Sequence, residues 1–185
     1  MTVYLIRHGL TQGNLERRYI GSADQPLCPA GRKQLQGLHP PAADKLYVSP
    51  MLRCRETAEI LYPAMAQEIV DGLRETDFGK FELCTYEELK DDPDYQAWLD
   101  TCGESAPPGG ESKAEVKERV LAAVLSAVQG HNEASRLAFV VHGGTIMTLL
   151  EALEESCQFY AWQAPNGGGF RCVWANGQLR DVERL

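Results

Sequence analysis

Two short polar motifs in this chain each follow an apolar run, and together they could act on one anion. Residues 3–6 lead into Arg7 and His8, and residues 140–141 lead into His142. An imidazole serves as a nucleophile or proton carrier near neutral pH, and an arginine is a permanent cation that binds oxyanions. Because ligands of open α/β sheets bind at the carboxyl ends of the strands, the two motifs predict one shared anion site.

A local hydrogen bond at a strand end would explain either histidine alone. Two strands with the same ending, far apart in the chain, are harder to attribute to packing. A zinc site is disfavoured, because no His-x-His, HExxH or paired-cysteine spacing lies near His8 or His142. We therefore expect no metal here.

The composition is typical of a soluble globular protein, with 44% apolar and 24% charged residues. The net charge of −8 argues against a nucleic-acid partner. No apolar run approaches the roughly 20 residues that a membrane span needs, and the N-terminus lacks a signal-peptide pattern. We expect neither a nucleic acid nor a membrane as partner.

The cysteines are scattered and form no CxxC pair. Without a secretion signal, this usage is typical of reduced thiols, and it predicts a cytoplasmic location. The six are Cys28, Cys54, Cys84, Cys102, Cys157 and Cys172.

Apolar strands alternate with helical patterns, which is typical of a mainly parallel sheet covered by helices. The predicted strands are residues 2–7, 45–49, 67–70, 137–142 and 170–174, with an edge strand at 179–183. The predicted helices are residues 29–38, 51–63, 85–100, 113–129 and 144–155. Ser112 and Glu115 predict a capping box at the start of the fourth helix. We expect one domain over residues 1–185, an α/β fold arranged as a three-layer α/β/α sandwich.

Residues 83–111 interrupt the alternation and are rich in proline and glycine. Connections of this length are usually functional or mobile. They predict a short, partly helical lid insertion over the carboxyl ends of the strands.

Several motifs lie in order around the two histidines, and together they resemble the histidine phosphatase superfamily, also called the phosphoglycerate mutase-like superfamily. The match extends over residues 3–146, and co-ordered motifs are more specific than any one alone. The matching segments are Arg7-His8-Gly9-x-Thr11-x-x-Asn14, Tyr19-x-Gly21-x-x-Asp24-x-Pro26-Leu27, Ser49-Pro50-Met51-Leu52-Arg53-Cys54-x-x-Thr57-Ala58, Glu75-x-x-Phe78-Gly79-x-Phe81-Glu82, Gly110-Glu111-Ser112 and His142-Gly143-Gly144.

The resemblance implies that His8 attacks phosphorus and becomes a phosphohistidine. It implies that Arg7 and Arg53 bind the phosphate, since each planar guanidinium can hold two oxygens. It assigns His142 as the second histidine, which a phosphate dianion would favour in its protonated form.

Further phosphate contacts follow from the same resemblance. Asn14 matches a phosphate-contacting asparagine, and Thr11 could donate to the same group, although either side chain could equally cap a loop. The N–H groups of Gly143 and Gly144 open a helix and direct its positive end toward the ligand.

Glu75 matches the general acid of the family, which protonates the leaving alkoxide. Asp77 and Glu82 are rival carboxylates, but the Glu-x-x-Phe-Gly spacing favours Glu75. Two arginines and two histidines already neutralise a phosphate, so no cofactor is expected.

The charge of the lid predicts whether the phosphoryl group is transferred to water or returned to an organic acid. A mutase must retain a doubly anionic acid, and that requires extra cations at the mouth of the site. Met147 stands where many relatives have an arginine, and Lys90 is the lone basic residue of the segment 83–104. Its acidic residues are Glu87, Glu88, Asp91, Asp92, Asp94, Asp100 and Glu104.

We therefore predict a phosphomonoester hydrolase for a small phosphorylated metabolite. The chain length and the short lid resemble α-ribazole phosphatases, which suggests α-ribazole 5′-phosphate as the substrate. The alternatives are a phosphoglycerate mutase and a non-catalytic module that binds a phosphorylated ligand. The sequence leaves both a monomer and a homodimer open.

Overall fold

A computed structural model of the chain describes residues 1–154 and 159–185. Within these ranges one six-stranded sheet has the strand order β3-β2-β4-β1-β5-β6. The strands are β1 (Thr2–Arg7), β2 (Lys45–Val48), β3 (Gln67–Ile69), β4 (Arg136–Val141), β5 (Gly169–Ala175) and β6 (Gln178–Arg184). The first four strands in that order are parallel, whereas β5 pairs antiparallel with β1 and β6 pairs antiparallel with β5. The predicted mainly parallel sheet is confirmed.

Helices connect the strands much as the sequence predicts. They are α1 (Gln12–Leu15), α2 (Pro29–Gln36), α3 (Leu52–Leu61), α4 (Tyr86–Leu89), α5 (Pro93–Asp100), α6 (Lys113–Val128) and α7 (Gly143–Leu153). Short 3₁₀ helices lie at Asp71–Leu73, Gly79–Phe81 and Phe159–Trp162.

The prediction of one continuous helix over residues 85–100 is wrong. The structure divides this segment into α4 and α5, and Pro93 is the first residue of α5. Proline lacks the N–H that would continue a helix and disfavours the helical conformation of the residue before it. Asp92 therefore caps the second helix instead of extending the first.

The core has two halves, one on each face of the sheet. Alternate residues of a strand point to opposite faces, so Val3 and Leu5 pack with α6 and α7, whereas Tyr4 and Ile6 pack with α2 and α3. The three-layer arrangement predicted from the sequence is confirmed.

The predicted lid segment forms a small aromatic cluster of its own. Phe81, Leu89 and Tyr95 are buried together, with Tyr19 and Trp98 packed against them. The hydroxyl groups of Tyr19 and Tyr95 are 2.8 Å apart. This cluster fastens α4 and α5 to the loop that follows α1.

Two further sequence predictions concern the whole chain. In the described ranges, no helix has both the length and the apolar character that a membrane crossing requires. Five cysteines are free thiols, and Cys157 lies outside the described residues. The cytoplasmic location stays a prediction.

The central strand β4 offers a test of the core. Leu137 is fully buried, so Leu137→Ala should lower the free energy of unfolding by about 2–5 kcal/mol through the cavity it leaves. Leu125 on α6 is 41% exposed, so Leu125→Ala should change stability by less than about 0.5 kcal/mol. Chemical denaturation measures both. Equal losses in the two variants would contradict the assignment of Leu137 to the core.

Candidate active site

The two predicted histidines meet at the carboxyl edge of the sheet. β1 and β4 are parallel neighbours with Arg7 opposite Val141, and the N–H of His8 donates to the carbonyl of Val141 at 3.0 Å. Each strand ends immediately before its histidine. The His8 and His142 ring centroids lie 5.3 Å apart, close to the spacing of adjacent strands. The strand pairing therefore brings both imidazoles to one site.

His8 is arranged as a nucleophile. Its Nδ1 lies 2.7 Å from the carbonyl oxygen of Gly9, which can only accept a hydrogen bond. Nδ1 therefore carries the proton, and the lone pair is on Nε2. Burial and the charge of Arg53 lower the pKa of His8 well below its ordinary value. The ring is accordingly neutral and able to attack an electrophile.

Arg53 is a fully buried cation held by neutral groups. Its Nε donates to Nδ1 of His142 at 3.2 Å, and its two terminal nitrogens donate to the carbonyls of Ala23 and Gly21 at 3.0 and 2.8 Å. Among the described residues, no carboxylate lies within ion-pair distance of it. A buried charge without a counter-ion is costly, so this arrangement favours the binding of an anion.

Arg7 contributes a second cation. One terminal nitrogen donates to the carbonyl of Ala164 at 2.7 Å, while the buried Nε has no partner in the described part of the chain. A Cβ on Gly143 would lie 3.3 Å from the guanidinium carbon, so glycine leaves room for Arg7 against the first turn of α7. Burial lowers the pKa of Arg7, and the nearby charge of Glu75 opposes this.

His142 is buried and has a partner on each nitrogen. Nε2 lies 2.7 Å from Oγ of Ser49, and Nδ1 accepts the bond from Arg53. Burial and the charge of Arg53 lower the pKa of His142 well below its ordinary value, so the ring is neutral before an anion binds. Its protonation beside a phosphate stays a prediction.

Glu75 faces the start of α7. Its two carboxylate oxygens accept the N–H groups of Gly144 and Thr76, each at 3.0 Å. A Cβ on Gly144 would collide with this carboxylate. The expectation that the Gly144 N–H points to the ligand is therefore wrong, because Glu75 already accepts it.

The two rival carboxylates are engaged elsewhere. Glu82 accepts N–H groups from residues 21–23 and from Phe78 at 2.8–3.2 Å. It thus orders the loop whose carbonyls hold Arg53. Asp77 accepts the hydroxyl of Ser22 and an N–H from its own turn. These contacts favour Glu75 as the carboxylate of the site.

Thr11 and Asn14 form a reciprocal cap at the start of α1. The Thr11 hydroxyl accepts the N–H of Asn14 at 3.2 Å, and Oδ1 of Asn14 accepts the N–H of Thr11 at 3.1 Å. Asn166 donates from Nδ2 to this same Oδ1 and to the carbonyl of His8. The caps allowed for at the sequence level are present, and phosphate contact by either residue stays a prediction.

Sequence reasoning missed two contributors to the site. Ser49 was only part of a motif, although its hydroxyl is the partner of Nε2 of His142. Asn166 follows the stretch that the motifs cover, and a polar residue between proline and glycine is the one local signal it offers.

An apolar cavity of about 540 Å³ lies next to the segment that carries Glu75. Thr76, which follows Glu75 in the chain, lines this cavity, and so does Gly144, whose N–H donates to Glu75. The amino group of Lys113, at its rim, pairs with Glu104 and Glu151 at 2.8 and 3.1 Å. The apolar walls include Tyr19, Phe78, Trp98, Met147, Phe159 and Tyr160. The first turn of α7 thus borders both Arg7 and the cavity, with Gly143 against Arg7 and Gly144 in the cavity wall.

Metal-ligating side chains are not grouped at this site. Over residues 1–154 and 159–185, no three of the histidine, cysteine and carboxylate side chains are clustered so that they could hold a metal ion. The expectation of a reaction that needs no metal stays a prediction.

Known proteins share both the sequence pattern and the fold. Residues 3–180 match the model of the histidine phosphatase superfamily (branch 1). A relative named "Probable phosphoglycerate mutase GpmB" from Salmonella paratyphi C is 32% identical over 163 residues, which are 83% of this chain and 74% of that protein.

Two solved structures are similar over the whole of this chain. The α-ribazole phosphatase from Shigella flexneri has a TM-score of 0.86 and 25% identity, with 96% of that chain covered. The phosphoglycerate mutase from Thermus thermophilus has a TM-score of 0.76 and 31% identity, with 98% covered. The family model and the relative from Salmonella show that the chain belongs to branch 1 of the histidine phosphatase superfamily.

Proposed function

We propose that this protein is a phosphomonoester hydrolase that works through a phosphohistidine on His8. The observation that carries the proposal is a neutral imidazole next to the buried charge of Arg53, which lacks a carboxylate partner in the described chain. A neutral ring supplies the lone pair, and the arginines balance the charge of the phosphoryl oxygens. Arg7 contributes its unpartnered Nε to the same end of the site.

In the first step, Nε2 of His8 attacks phosphorus and the bond from phosphorus to the ester oxygen breaks. Glu75 gives a proton to the departing oxygen, so an alcohol leaves rather than an alkoxide. Arg7 and Arg53 hold the equatorial oxygens through the transition state, where preorganised donors act most strongly. The hydrogen bond from Nδ1 to Gly9 supports the positive charge that forms on the ring.

In the second step, water attacks phosphorus and the phosphorus–nitrogen bond breaks. Glu75, now a carboxylate, takes a proton from this water, and inorganic phosphate leaves. His8 returns to its neutral form with its proton still on Nδ1. One carboxylate thus serves as acid and then as base, so the protein ends the cycle as it began.

The cavity supports a leaving group with a neutral ring. Its lining is mainly aromatic and aliphatic, and the charge of Lys113 is already engaged by Glu104 and Glu151. No lining residue of the described chain therefore offers a free cation to a second anionic group. This favours a hydrolase over a phosphoglycerate mutase.

The acidic residues of the lid, in contrast, do not discriminate between a hydrolase and a mutase in the way that the sequence suggested. Several of the acidic side chains pair with bases at the surface, such as Glu87 with Lys90 and Asp94 with Lys80. Solvent screens such pairs, so they contribute little to the field inside the cavity. The apolar lining, rather than the lid charge, is the observation that supports a hydrolase over a mutase.

The mainly apolar lining favours a nucleoside-like phosphate with a neutral aromatic base, and α-ribazole 5′-phosphate is the candidate of that class. The α-ribazole phosphatase named among the similar structures supports this choice. We assign the reaction to the cytoplasm, as the free thiols suggest.

Removal of the nucleophile tests the reaction. His8→Ala should lower hydrolysis of 4-nitrophenyl phosphate by roughly 10³-fold or more, because the proposed acceptor of the phosphoryl group is removed. Wild type quenched during turnover should carry phosphorus on His8, detected by mass spectrometry of peptides kept at alkaline pH. His39→Ala, at an exposed position, is the control and should retain full activity. Retained activity in His8→Ala, or phosphorus on another residue, would overturn the mechanism.

The buried rings predict an unusual pH response. Because burial and Arg53 lower both pKa values, His8 and His142 should remain neutral in the free enzyme as the pH falls through 6.5. Bound inorganic phosphate should raise the pKa of His142, since an adjacent dianion favours the imidazolium. Imidazole ¹⁵N shifts recorded with and without phosphate, between about pH 5 and 8, measure both effects. A His8 that is half protonated at pH 6.5 without phosphate would contradict the neutral nucleophile.

The lining predicts specificity. Wild type should hydrolyse phosphates with a neutral ring faster than 3-phosphoglycerate and should not interconvert 2- and 3-phosphoglycerate, even with a bisphosphate primer. Met147→Arg places a cation in the wall, so the ratio of kcat/KM between the two substrate types should shift about tenfold or more toward phosphoglycerate. Met147→Leu keeps the wall apolar and should leave the ratio unchanged. Mutase activity in wild type would favour the alternative.

A further inference from the structure

Arg119 on α6 lies outside every motif used above, yet its guanidinium forms hydrogen bonds with the backbone of the segment that carries Glu75. One terminal nitrogen donates to the carbonyls of Gly72 and Arg74, each at 3.0 Å, and the other approaches the carbonyl of Glu75 at 3.4 Å. Its fork thus reaches three carbonyls within four residues. A planar, permanently charged fork suits this task better than a flexible ammonium.

Glu111 contacts both Arg119 and the residues that follow Glu75, and we call the Arg119–Glu111 ion pair the clamp. Its two oxygens accept from Nε and a terminal nitrogen of Arg119 at 3.0 and 2.7 Å. Oε2 also accepts the N–H of Asp77 at 3.0 Å, and the N–H of Glu111 donates to the carbonyl of Asp77 at 2.9 Å. The ion pair therefore fixes the backbone on both sides of Glu75.

The surroundings explain why Glu75 needs such support. Its segment follows the short edge strand β3 and has a single 3₁₀ turn before the carboxylate. The side chain itself accepts only the N–H groups of Thr76 and Gly144 among the described residues. The bidentate ion pair of Arg119 and Glu111, whose side chains are only 15% and 24% exposed, restrains the segment more strongly than these two hydrogen bonds do.

We propose that Arg119 and Glu111 are positioning residues that hold Glu75 where it can protonate the leaving oxygen. The proposal rests on the function proposed above, in which Glu75 is the acid. Loss of the clamp would let the carboxylate drift from the ester oxygen while His8 and both phosphate-binding arginines stay in place. A displacement of about 1 Å can cost a reacting group 10²-fold in rate.

If the clamp positions Glu75, the loss of kcat/KM in its variants should depend on the leaving group. If the clamp only stabilises the fold, the loss should be the same for every substrate. 4-Nitrophenolate leaves readily without a proton, whereas the alkoxide of benzyl alcohol needs one. 4-Nitrophenyl phosphate and benzyl phosphate each carry one ring, so they make similar demands on the cavity. For both, kcat/KM reports the step in which the ester bond breaks, before the shared phosphohistidine is hydrolysed.

In Arg119→Met, kcat/KM for benzyl phosphate should fall about 10²-fold, whereas that for 4-nitrophenyl phosphate should fall less than about threefold. Glu75→Gln should show the same selectivity between substrates. The double variant should lose little more than Glu75→Gln alone, because the two changes affect one step. Glu111→Gln, which keeps the shape of the side chain, should shift the same ratio in the same direction and serves if Arg119→Met does not fold.

Arg136→Met is the matched control, because Arg136 also forms a two-pronged pair, with Asp44, at the opposite end of β4. It should leave both substrates unchanged. Equal losses on the two substrates in Arg119→Met and Glu111→Gln, or no loss on benzyl phosphate, would overturn the positioning role. If Glu75→Gln itself lacked the selectivity, the proposed acid would be wrong, and that failure is distinct from the failure of the clamp.

Discussion

β1 and β4 lie side by side and parallel, and their register puts Arg7 opposite Val141. Each strand stops one residue before a histidine, so the pairing alone decides that the two rings face one another. A slip of one residue would turn one side chain to the other face of the sheet, and the shared site would be lost. The apolar residues of both strands, buried against helices on both faces, hold this register in place.

The electrostatics of the site follow from the way its arginines are held. Backbone carbonyls satisfy the N–H groups of Arg53 without cancelling its charge, which a carboxylate would do. The uncompensated charge has two effects. After burial, which is the larger cause, it lowers the pKa of both histidines and so keeps the His8 lone pair available, and it favours the arrival of an anion. Under the proposed reaction, one desolvated cation thus helps to keep the nucleophile neutral and attracts the phosphate.

The features that could be predicted from the sequence are local caps and residues placed at the ends of strands. Residues 7, 8 and 142 are placed by the termini of two strands, and the predicted box of Ser112 and Glu115 does cap α6. Contacts between segments distant in the chain carry no such signal. That Gly144 donates to Glu75, and that Arg119 reaches the carbonyl of Arg74, depend on how α6 and α7 pack. Pro93, by contrast, was a local signal that could have divided the lid helix.

The group of histidines and arginines and the cavity are built largely from different parts of the chain. Strand ends place Arg7, His8 and His142, whereas much of the cavity wall comes from α5, the loop after it, the start of α6 and residues 159–160. The two parts meet at α7, which also supplies Gly144, Met147 and Thr148 to the wall. Substitutions in such a wall leave the strand register untouched. Under the proposed reaction, the choice of leaving group can therefore change while the phosphoryl chemistry stays the same, which agrees with the similarity of this chain both to an α-ribazole phosphatase and to a phosphoglycerate mutase.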